Sequence, residues 1–175
     1  AAVTNDLLNV TLNVQNLAGH KFPSGVPIRR AWIHLQVKDK RGDTVFESGA
    51  PQADGSIAGN NADLDPQAYE PHYTVITASD QVQIYEPIMH DTDGNVTYTF
   101  LRAAGYLKDS RLLPAGFDKA LADPDIAVWG AAQADADFVG GGDTITYSVD
   151  VSNVRRRPLS VTATLFYQTA SHRFV

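Results

Sequence analysis

The sequence predicts an all-β fold, an immunoglobulin-like antiparallel β-sandwich with two long inserted loops, and three observations carry that prediction. Apolar and polar residues alternate over at least five separate segments, the period-2 pattern of strands that bury one face. No stretch sustains the 3.6-residue period of an amphipathic helix. Glycine, proline, asparagine and aspartate punctuate the alternating segments, as hairpins and loops require. The chain has 175 residues, enough to bury a full core without staples. Neither an internal repeat nor a linker composition divides it, so residues 1–175 read as one domain.

The first strand carries Leu8, Val10, Leu12 and Val14 on one face and Asn9, Thr11, Asn13 and Gln15 on the other. A turn-rich loop follows, with Pro23, Pro27, Gly19, Gly25 and the pair His20–Lys21. From Ala31 a second strand places Ala31, Ile33, Leu35 and Val37 inward and Trp32, His34, Gln36 and Lys38 outward. Arg41 and Gly42 make a tight turn into a short strand over residues 44–47. The excursion from Ser48 to His72 is too long for an ordinary connection in a compact domain, so something must order it.

Val82 and Ile84 mark the next strand, and Val96, Tyr98 and Phe100 another, with HDTDGN between them as the turn of a neighbouring pair. Residues 100–106 read as a short helical turn. The segment LKDSRLLPAGFDKALADPD is a second long loop, because its two prolines break any helix. Two long strands close the chain. Ile145, Tyr147, Val149 and Val151 face inward on the first, and Leu159, Val161, Ala163, Leu165 and Tyr167 on the second. The total is seven to nine strands.

Composition excludes several functions. The chain has no cysteine, so it holds no disulfide, no thiolate metal site, no thiol nucleophile and no covalently attached c-type haem. A formal net charge of -6 argues against a nucleic-acid or anionic-membrane surface. Arg155, Arg156 and Arg157 read as a solvated turn. No apolar run approaches the roughly 20 residues of a membrane span. No nucleophile elbow and no HExxH helix occurs.

Two groups of residues are candidates for chemistry. Asp54, Asp63, Asp65 and Glu70 put four hard oxygen ligands into the first long loop, and calcium takes six to eight such oxygens. Alternatively, Arg29, Arg30 and Arg41 neutralise the same carboxylates by bidentate pairing, with no metal. The histidines show no close pair with ligand spacing, although His20 and His72 each lie in a proline-containing loop. Asp135, Asp137 and Asp143 follow in a second acidic segment, and carboxylate pairs can serve a carbohydrate-active or other hydrolase on a β-sandwich.

The run GHKFPSGVPIRRAWIHLQVKDKRGDTVFESG, with ADGSIAGNNADLD, YEPHY, DQVQIYEPIMHDTDGNVTYTFLRAAGYLKDSRLLPAGF, DIAVWG and LFYQ, resembles the haem-free carboxy-terminal β-domain of bacterial multihaem c-type cytochromes. The resemblance spans residues 16–168. It implies a non-catalytic accessory or interaction domain of an exported electron-transfer protein, periplasmic or extracellular. The chain is then the C-terminal part of a longer multihaem cytochrome, and its partner is the haem-bearing domain of that parent protein or a redox partner. The resemblance also implies that haem resides only in a neighbouring domain. His20 becomes a candidate axial ligand to such a haem, with Arg29 and Arg30 as propionate partners. The alternative for the same three residues is to hydrogen-bond the acidic loop.

Overall fold

The computed structural model describes residues 1–174, and among them the fold is all-β, with only short 3-10 turns besides strands. Eleven strands run in chain order: β1 (Ala2–Thr4), β2 (Leu7–Gln15), β3 (Arg30–Lys38), β4 (Thr44–Ser48), β5 (Val75–Ile76), β6 (Ile84–Tyr85), β7 (Pro87–His90), β8 (Val96–Thr97), β9 (Gly105–Asp109), β10 (Gly142–Asp150) and β11 (Ser160–Gln168). The four long strands β2, β3, β10 and β11 coincide with the four strongest alternations in the sequence.

Two sheets make the sandwich. One has the order β1-β2-β10-β5, with β2 and β10 antiparallel over nine residues and β5 added in parallel. The other has the order β11-β3-β4, with β6 also pairing β3. Between them lies a core that includes Leu8, Val10, Ile33, Leu35, Val37, Ile145, Tyr147 and Val149, the inward phases that alternation assigns. A third sheet, β8-β7-β9, was not expected. Its hairpin keeps the predicted turn over HDTDGN, but the strand entering that turn is β7, not the segment around Val82 and Ile84.

β3 departs from the expected one-sided burial. Trp32 is buried, against the expectation that it faces water, and with Ile57, Val82 and Ile84 it forms a second apolar cluster on the outer face. The long excursion causes this by folding back over β3. The indole Nε1–H donates to the Gly49 carbonyl at 2.9 Å, and Phe166 of β11 stacks on the indole. Gly49 sits at φ +77°, where a Cβ would collide with the Ile33 carbonyl, so only glycine closes this turn.

β11 departs in the opposite direction. Its register places Val161, Ala163, Leu165 and Tyr167 opposite Val37, Leu35, Ile33 and Ala31, on the expected inward face. Yet Leu165 is 47% and Tyr167 45% exposed, on a strand at the edge of its sheet.

Candidate functional site

His20 occupies the loop between β2 and β3. Asn16 builds that loop: its Nδ2 donates to the carbonyls of His20 at 2.8 Å and Leu112 at 3.0 Å, while its Oδ1 accepts from the Ala18 N–H. Phe22 then bridges to Leu112 through both of its backbone groups. The His20 side chain is exposed, and its Nδ1 lies 2.9 Å from the Lys21 carbonyl. A carbonyl only accepts, so Nδ1 carries the hydrogen, and in the neutral imidazole the lone pair is then on Nε2. A neutral imidazole with one nitrogen fixed by a carbonyl is the form that ligates metals. Lys21 turns the other way, to Asp109 Oδ2 at 2.7 Å.

The two arginines at the end of this loop part company: Arg29 stays on the loop and Arg30 turns into the protein. Arg29 donates to the Ser24 carbonyl at 2.9 Å. Arg30 is 1% exposed and grips Asp63 through two bonds of 2.6 and 3.0 Å. Gln168 and the Gly55 carbonyl take the rest of its guanidinium. Arg30 is therefore committed to the long loop and not presented to a propionate. Arg41 is exposed on its turn.

The four carboxylates of the first long loop do not converge. Asp54 is exposed and accepts from the N–H and hydroxyl of Ser56. Asp65 is exposed and accepts from the Gln67 N–H. Asp63 is buried against Arg30 and the Ile57 N–H. Glu70 is buried too, accepting from the Tyr73 hydroxyl at 2.8 Å, and burial raises its carboxyl above the usual range. Of the two accounts of this loop, pairing by Arg30 is the one these contacts support.

A buried polar centre lies elsewhere, where the end of the first long loop meets the start of β10 and the segment just before it. His72, Asp135 and Asp143 bring three ligand atoms within 4.8 Å of one another. His72 Nε2 is 3.0 Å from Asp135 Oδ2 and 3.7 Å from Asp143 Oδ1. Gln83 fixes the tautomer: its Oε1 accepts from the Tyr73 N–H at 2.9 Å, so its amide hydrogens face His72 Nδ1 at 2.8 Å and Asp143 Oδ2 at 3.2 Å. Hence Nδ1 accepts, and Nε2 carries the hydrogen toward Asp135.

The carboxylates are held from behind. Thr74 donates to Asp135 Oδ2 and the Asp137 N–H to Asp135 Oδ1, and Tyr85 donates to Asp143 Oδ2 at 2.8 Å. Asp143 Oδ1 alone has no partner. Burial drives the imidazole of His72 down to about 4 and the Asp143 carboxyl up to about 6. The sequence singled out His72 and the two aspartates separately but not their meeting. One signal was present: Asp143 shares the inward phase of Ile145, Tyr147 and Val149, where a carboxylate must have a reason to be buried.

No known family model matches the sequence, and no curated protein matches it. In fold the chain is similar to a penta-haem cytochrome c552 from Thermochromatium tepidum, with a TM-score of 0.56 at 14% sequence identity. The superposition covers 97% of this chain and 30% of that cytochrome. The chain thus spans about a third of the length of its structural neighbour.

Proposed function

We propose that this chain is a non-catalytic accessory domain of an exported multihaem c-type cytochrome, periplasmic or extracellular. It docks against the haem-bearing domain of the same parent protein or against a redox partner. The observation that supports this best is the likeness in fold, which takes in 97% of this chain but 30% of the penta-haem cytochrome. The absence of cysteine means that any c-type haem is attached to a different segment or protein.

His20 is the residue that fits a haem-facing role. It is exposed, its Nδ1–H is bound to a carbonyl, and its loop is anchored by Asn16 and Phe22. A haem iron supplies one-electron transfer, and a neutral imidazole on a stiff loop supplies an axial ligand. Arg30 has no part in this, since Asp63 occupies it. In the intact parent protein, His20→Ala should change the low-spin haem spectrum and shift one reduction potential. An unchanged spectrum with unchanged potentials removes His20 from the ligands. The docking role is tested by mixing the separately produced haem-bearing part with this chain, and no complex by calorimetry or gel filtration would overturn it.

A further inference from the structure

We infer that His72, Asp135 and Asp143 form a binding site for one first-row divalent metal ion, with zinc the best fit. The inference rests on the buried polar centre alone and is independent of the cytochrome reading.

Four-coordinate zinc holds nitrogen and oxygen ligands at about 2.0–2.2 Å, which spaces neighbouring ligand atoms about 3.4 Å apart. The two separations from His72 Nε2, 3.0 and 3.7 Å, bracket that value. The side chains of His72, Asp135 and Asp143 are 1%, 4% and 0% exposed. Calcium fits worse, because it asks for six to eight oxygens at longer distance.

A second observation points independently to an ion. Asp143 Oδ1 is fully enclosed, lies beside His72 Nε2 and accepts no hydrogen bond. A buried carboxylate oxygen without a partner is costly. Among the described residues no lysine or arginine pairs with either carboxylate, and the nearby Lys119 ammonium is bound to the carbonyls of Ala132 and Asp135. The outer shell is already in place. Tyr85 holds Asp143 by Oδ2, which leaves Oδ1 for the ion, while Thr74 and the Asp137 N–H hold Asp135. Fixed outer partners of this kind orient metal ligands.

One local change accompanies binding. The ion takes Nε2, so the imidazole hydrogen moves to Nδ1, and the Gln83 amide turns over to accept it. That turn sacrifices the bond from the Tyr73 N–H and the bond to Asp143 Oδ2.

The test starts from the intact chain stripped with chelator. Titration with zinc chloride should show one saturable equivalent with a Kd of roughly a micromolar or tighter, and the melting midpoint should rise on loading. Cobalt(II) should bind with visible d–d bands of a nitrogen and oxygen site. Asp143→Asn should weaken zinc by about 100-fold or more without lowering the metal-free midpoint, because it removes the unpartnered charge. Thr74→Val, which removes only the hydroxyl behind Asp135, should weaken zinc about tenfold. No stoichiometric uptake by the unaltered chain overturns the inference, and so does zinc affinity unchanged in both variants.

Discussion

Arg30 shows how a single residue organises this fold. It stands at the start of β3, yet its guanidinium holds Asp63, 33 positions away. Both side chains are 1% exposed. Removing one partner strands the other charge, so Arg30→Ala or Asp63→Ala should each cost about 3–5 kcal/mol in urea unfolding. Arg30→Lys should recover little, because an ammonium cannot make the forked pair. A second residue sets the acid limit. Burial acts to raise the Asp109 carboxyl, but Arg111 and Lys21 overcome it and hold the group below its ordinary 3.8. A depressed carboxyl contributes stability that is present above the unfolded value and lost as pH falls through the folded one. The gap in stability between the parent and Asp109→Asn, about 3 kcal/mol near neutrality, should therefore narrow below about pH 4. Neither role was legible in full. The sequence offered Arg30 as one of three arginines for the loop, but only geometry separates it from Arg29 and Arg41, and Asp109 sat in a segment read as loop.

The element scale separates phase from coverage. Alternation gives the phase of a strand, and it placed the inward faces of β2, β3 and β10 correctly. Coverage depends on what the chain lays on top, which no local pattern encodes. Trp32 was therefore expected in water and lies under the returning loop, whereas Leu165 was expected inside and is half-exposed on an edge strand. Leu35→Ala should cost about 2–5 kcal/mol, while Leu165→Ala should cost less than about 1 kcal/mol because much of that side chain is already wet. Gly49→Ala should cost at least about 2 kcal/mol, through its positive φ and the collision with β3. Calorimetric or urea unfolding of the three variants ranks them. β9 was missed because its buried positions include Lys108 and Asp109, polar residues that erase a hydrophobic signal. β5 has two residues, too few to show any period, whereas β6 and β8, expected around Val82–Ile84 and Val96–Phe100, are present but cut to two residues each.

For the molecule as a whole, the sequence conveyed the architecture better than the site. Four long strands define the sandwich, and all four are periodic. The polar centre draws on residues 72, 83, 85, 135 and 143, which come from separate segments of the chain and not from any motif. One consequence concerns handling of the isolated domain. β11 pairs with β3 on one side only, and its nine residues, SVTATLFYQ, contain no charge and no proline. Natural edge strands discourage templating by such means. Concentrated solutions of the chain should therefore turn cloudy on storage, with light scattering that grows steeply with concentration. Thr164→Lys, placed on an exposed position of that strand, should keep them clear at unchanged stability, which sedimentation and a melting curve would establish together.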